Sequence, residues 1–203
     1  MSLRVREPTN ERAQCQTCLS IAERGGGKDA KWLSHSRIAQ LSELRLSQKG
    51  DGLFSLFSAP DLQLVKFIEQ AILGSELDIV ITHHPADTNN DHLQTSMACQ
   101  EAVRLPQRQP KVKRIKEFWY MEVLSYTDWA INTAMNPFRP NCFVEIGLEG
   151  VQTKIAALGM YRDVMRPYPH PRSNEDITGL AAYRGGQWGL EYAEAFEVVL
   201  REY

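Results

Sequence analysis

The segment Leu77-Asp78-Ile79-Val80-Ile81-Thr82 is nearly all apolar, and every residue from Ile79 to Thr82 is β-branched. It lacks the alternation of a half-buried strand and reads as one buried on both faces, the kind found in parallel sheets. Helices must then cover it. Upstream, Leu64, Val65, Ile68 and Ile72 recur at helical spacing, with Pro60-Asp61 as a start and Gly74 as a stop. Downstream, a polar loop from His83 to Asp91 leads to Leu93, Met97 and Val103, whose spacing predicts a helix ending near Arg104.

The rest of the chain repeats the rhythm. Strands are expected over Lys113–Leu124, Cys142–Ile146 and Ala195–Leu200. Helices are expected over Val151–Val164, with Ile155, Leu158 and Tyr161 or Met165 inward, and over Asn174–Tyr183. Pro167, Pro169 and Pro171 force an irregular segment between them. Helix, strand, loop, helix, strand is the order of an α/β domain with a mainly parallel sheet. Residues 1–50 are weakly patterned, broken by Gly25-Gly26-Gly27, with a short helix at most around Ile38, Leu41, Leu44 and Leu46 and no expected strand. A chain of 203 residues suffices for one domain with a sizeable core.

A net charge of −2 gives no reason to expect nucleic acid or an anionic membrane as partner. No apolar run is long enough for a membrane span, and the polar stretch Met1–Cys18 lacks the apolar core of a secretory signal. Four cysteines are too few for a disulfide scaffold, so a reducing, cytoplasmic setting is expected. Cys15-Gln16-Thr17-Cys18 is a CxxC, but His35 is its only nearby further ligand; an incidental pair and a zinc or redox site both remain open.

Three of the five histidines fall within residues 83–92, together with Asp87 and Asp91. In open α/β sheets ligands bind beyond the carboxyl ends of the strands, where this loop falls. Imidazole and carboxylate are the ligands of catalytic zinc or iron. Asp91 and His92 adjoin at the start of a helix, where the macrodipole favours a carboxylate. A second reading is purely structural: Asp87, Asn89 and Asp91 are all good cap and turn residues.

The segment Ile79-Val80-Ile81-Thr82-His83-His84-Pro85-Ala86-Asp87-Thr88-Asn89-Asn90-Asp91-His92 resembles the metal-binding segment of the LmbE-like, or PIG-L, family of zinc-dependent N-deacetylases. Glu122–Trp129, Phe138–Ile146, Lys154–Tyr161, His170-Pro171-Arg172-Ser173, Arg184-Gly185 and Ala193–Glu197 are similar to further family segments, in order, so the resemblance spans residues 60–203. It implies a Rossmann-like three-layer α/β/α fold for a single domain. It also implies hydrolysis of the acetyl group from an N-acetylated amino sugar of the N-acetylglucosamine type, or a related amide. By the same resemblance His92 is a ligand of zinc or another divalent metal, Asp91 beside it is a catalytic carboxylate, and Asp87 and His84 stand behind these. Some members place an oxyanion-stabilising histidine where Asn89 stands. Here that role would pass to His170, with Arg172, Arg184 and Asn89 facing substrate. Trp119, Trp129 and Trp188 are candidate sugar-stacking surfaces, with core or interface packing as the alternative.

One departure is large. The family's first motif, Ala-His-Pro-Asp-Asp-Glu, supplies two further metal ligands and the general base, and nothing in residues 1–60 matches it. Ser34-His35-Ser36 has no following carboxylate, and Ala59-Pro60-Asp61 has no histidine. The sheet is therefore expected to lack its first strand, and residues 1–59 to be atypical. Two explanations stand: a carboxy-terminal fragment of an enzyme, or a homologue that binds a sugar or partner without catalysis. Homo-oligomer formation is compatible with both.

Overall fold

The computed structural model describes residues 20–22 (backbone only), 62–73, 77–130, 136–161 and 163–203. Five strands form one sheet: β1 (Ser20–Ala22), β2 (Ile79–His83), β3 (Glu117–Met121), β4 (Cys142–Glu145) and β5 (Ala193–Arg201), in spatial order β1-β2-β3-β5-β4. The helices are α1 (Leu62–Leu73), α2 (Asn90–Ala102), α3 (Leu105–Arg108), α4 (Gly147–Gly159) and α5 (Asn174–Gly186).

The buried strand lies where the β-branched run places it. All five residues of β2 are buried, and β2 pairs in parallel with β3, from Ile79↔Glu117 to His83↔Met121. The other pairings are antiparallel: β1 with β2, β3 with β5 and β4 with β5. The sheet is thus mixed α/β and partly parallel, which corrects the expectation of a mainly parallel one. A parallel neighbour needs a crossover that returns the chain to the same sheet end. The α2 connection does this between β2 and β3. β5 instead enters beside the carboxyl end of β3, with Phe196 opposite Met121, and runs back to Arg201 opposite Glu117. β1 is also a departure, since no strand was expected there.

On one face, Val65, Ile68 and Ile72 of α1 and Ala98, Cys99 and Ala102 of α2 bury Val80, Phe118 and Tyr120. The inward face of α2 is not the side that carries its larger apolar residues. Leu93 and Met97 are only partly buried, while Thr95, Ser96, Ala98, Cys99 and Ala102 are buried. These side chains are small, so the helix can approach its neighbours closely. The other face carries Ile79, Ile81, Trp119 and Phe196.

α4 begins four residues before the expected Val151. Gly147 enters it at φ +61°, a left-handed conformation that glycine adopts without strain. Only Val151 of α4 is buried; Leu158 and Ile155 are half-buried. No helix among the described residues is long and apolar enough to cross a membrane.

Candidate functional site

β2 delivers His83 to its carboxyl end, and the following loop folds on itself. The backbone N–H of Asp87 donates to the His84 carbonyl at 3.0 Å, and that of Ala86 to His84 Nδ1 at 3.1 Å. The Asn89 side chain accepts from the Asp91 N–H at 2.9 Å and so caps α2.

Asp87 ties the loop to the helix. Its Oδ1 accepts from the Asn89 N–H at 2.9 Å, and its Oδ2 lies 2.9 Å from His92 Nδ1. The Thr127 hydroxyl reaches the same Oδ2 at 3.4 Å. His92 is wholly buried. The His83 ring stacks on it at 3.9 Å with 13° between the planes, and Tyr126 meets its edge at 4.9 Å.

A carboxylate oxygen only accepts, so Nδ1 of His92 carries the proton in this pair and Nε2 presents a lone pair. Nε2 is buried with no hydrogen-bond partner among the described residues. An imidazole oriented by a carboxylate, with its other nitrogen unengaged, is the usual arrangement behind a metal ligand. Among the described residues, however, no three His, Cys, Asp or Glu side chains come together to hold a metal ion.

His84 is also wholly buried, edge-on to Tyr120 and Phe138 at 5.3 and 5.6 Å. Its Nε2 lies 3.4 Å from Glu197 Oε2, long for a hydrogen bond and a charge pair only when His84 is protonated. Burial holds the His84 pKa below its ordinary 6.5, while Glu197 and Asp87 pull the other way. A histidine kept neutral by the fold contributes its full stability above pH 6.5, and the contribution falls as acid charges it in the unfolded chain first. Unfolding free energy is therefore expected to decline as pH is lowered from 7 to 5. In His84→Gln part of that slope should disappear, as read by urea denaturation at each pH.

The remaining candidates are spread around this centre. Asp91 is partly exposed in the first turn of α2, and its carbonyl accepts from the Thr95 hydroxyl at 2.8 Å. The carboxylate bonded to His92 is that of Asp87. His170 lies in the proline-rich segment, half-buried, with Nδ1 accepting from the Arg172 N–H at 3.0 Å. Arg184 forms a two-pronged pair with Glu122: Nε to Oε2 at 2.9 Å and Nη2 to Oε1 at 2.5 Å. Arg172 Nε is buried with no hydrogen-bond partner among the described residues. Trp119 is a core residue; Trp129 is exposed, and Trp188 stacks on Phe143 at 5.8 Å. Cys15, Cys18 and His35 lie outside the described residues.

A cavity of about 320 Å3 borders β5, α4 and α5, and His83, Arg172 and Arg184 all line it. Sequence reasoning did not single out Glu122, Thr127 or Glu197. Each meets its partner across 40 or more residues of chain, so no local pattern reveals the pairing; for Thr127 and Asp87 the separation is 40, for Glu122 and Arg184 it is 62. His83 carried a visible signal, a histidine at the end of a buried strand.

No family model and no curated protein matches the chain. Among solved structures, it is similar to a conserved protein of Thermus thermophilus at 22% identity and a TM-score of 0.54, covering 82% of this chain and 72% of that one. It is also similar to an N,N'-diacetylchitobiose deacetylase of Pyrococcus horikoshii at 17% identity and a TM-score of 0.49, covering 81% of this chain. The chain spans 64% of that deacetylase's length. The Thermus likeness is one of fold, and it agrees with the mixed α/β sheet.

Proposed function

We propose that the Rossmann-like three-layer fold and the His83–His92 segment derive from a zinc-dependent deacetylase of N-acetylated amino sugars, and that the described residues form a ligand-binding site without hydrolytic activity. The observation that carries this reading is the buried His92, held through Nδ1 by Asp87 with Nε2 unpartnered. That is one metal donor with its orienting carboxylate.

Zinc does not fit the described residues. A catalytic zinc takes three protein ligands and leaves a position for water, and among the described residues only His92 offers a donor of this kind with its orienting partner in place. In this reading Asp91 and His170 perform no proton transfer, Arg172 serves ligand binding, and Asn89 keeps its capping role. The Glu122 pair leaves Arg184 a framework part of the cavity wall. The reading assigns the chain to a reducing, cytoplasmic setting, alone or as a homo-oligomer.

Purified chain is expected to release no acetate from N-acetylglucosamine derivatives above background, with or without added zinc, and to retain less than one zinc per chain. Chelator-sensitive deacetylation that His92→Ala abolishes would overturn the proposal. Tight metal binding that survives His92→Ala but is lost in Cys15→Ser would move the metal chemistry to the CxxC.

A further inference from the structure

The cavity beside β5 has a chemistry unlike that of a sugar pocket. Its wall is mostly aliphatic and aromatic, with Ile81, Val151, Leu158 and Phe196 among its residues. A sugar carries a hydroxyl on almost every carbon, and each buried hydroxyl needs a partner. The charged groups of the wall are mostly committed to one another. Lys154 Nζ lies 2.5 Å from Glu194 Oε1, and Glu122 is taken by Arg184.

One charge is left over. Three cations line the cavity, Lys154, Arg172 and Arg184, against two carboxylates, Glu122 and Glu194. The unmatched cation is Arg172, which has no ion-pair partner among the described residues and whose buried Nε lacks a hydrogen bond. Leaving a buried guanidinium nitrogen unsatisfied is costly, and an oxyanion held by its planar fork would remove that cost.

Size narrows the occupant. At about 320 Å3 the cavity is about twice the ~150 Å3 of an apolar cavity that accepts benzene, so it takes roughly twelve non-hydrogen atoms. We propose that this cavity binds an amphipathic monoanion, of the medium-chain carboxylate class, with its apolar body against α4 and β5 and its carboxylate on Arg172. The site adjoins the histidine pair, because His83 lines the cavity and stacks on His92. Binding of this kind uses neither the metal nor hydrolysis, so it is independent of the origin proposed for the fold.

Titration calorimetry of the full chain with decanoate, with a chelator present throughout, tests it. One-to-one binding is expected, at least about tenfold tighter than for 1-decanol, because a charge-assisted hydrogen bond is at stake. Arg172→Gln should remove that preference and bind both ligands alike. Ala157→Phe, which fills the cavity from α4, should abolish binding of both. Equal affinity of the parent chain for acid and alcohol would overturn the proposal. So would an absence of decanoate binding, or binding unchanged in both variants. Should Ala157→Phe fail to fold, the acid-to-alcohol ratio in Arg172→Gln still decides.

Discussion

Replacing Asp87 with alanine is expected to cost about 3 kcal/mol or more of folding stability, since two buried donors and one partly buried donor lose their acceptor at once. The His92 Nδ1–H, the Asn89 N–H and the Thr127 hydroxyl all converge on this one carboxylate. Asp87 and His92 side chains are both fully buried, so water cannot replace the lost bonds. Thr127→Val removes only the longest of the three contacts and should cost about 1 kcal/mol. Urea unfolding with an unchanged m-value is the measurement. A loss below about 1 kcal/mol in Asp87→Ala would mean that His92 is not held by this bond.

The second large effect is steric. Gly185→Ala would place a Cβ 2.7 Å from the Leu190 carbonyl oxygen, 2.8 Å from that of Glu191 and 2.9 Å from the Glu191 carbonyl carbon. All three are backbone atoms, so no side chain can swing aside. The turn after α5 is itself fastened to this residue, since the Trp188 and Leu190 N–H groups both donate to the Gly185 carbonyl. Destabilisation of about 2–3 kcal/mol is expected, at the upper end of ordinary overpacking. Gly179→Ala provides the control on the same helix, because an added Cβ there meets nothing within 4 Å. Alanine's higher helix propensity should make that variant neutral or slightly stabilising. Similar melting temperatures for the two variants would refute the steric account.

The elements with one dominant local cause were legible in the sequence. β2 is written in consecutive β-branched residues, and α1 in Val65, Ile68 and Ile72 at helical spacing. Strand direction was not legible. Whether β5 lies parallel or antiparallel to β3 depends on which end of the sheet the α5 turn delivers it to, and no residue of β5 encodes that. The inward face of α2 was not legible for a related reason. Apolar periodicity points to Leu93 and Met97, but close packing selected the small residues on another side.

The candidate site divides in the same way. The run from His83 to His92 is contiguous, so its chemistry could be read directly. That Asp87 rather than Asp91 holds His92 follows from the loop's path, with the His84–Asp87 turn bringing a residue five positions back onto the imidazole. The sequence reading set Asp91 beside His92 and Asp87 behind it. The cavity was invisible to pattern reading, because its wall is assembled from segments far apart in the chain.

The tight seam of α2 provides a way to time the opening of the site. Cys99 is completely buried in that seam, and burial pushes its thiol up to about 12. Only the thiolate reacts with alkylating reagents, so in the closed protein Cys99 is both inaccessible and in the wrong protonation state. In a chain with Cys15, Cys18 and Cys142 replaced by serine, iodoacetamide can mark Cys99 only while the helix is lifted off its neighbours. Since α2 also carries His92, the labelling rate becomes a clock for the residence of that histidine in its seat.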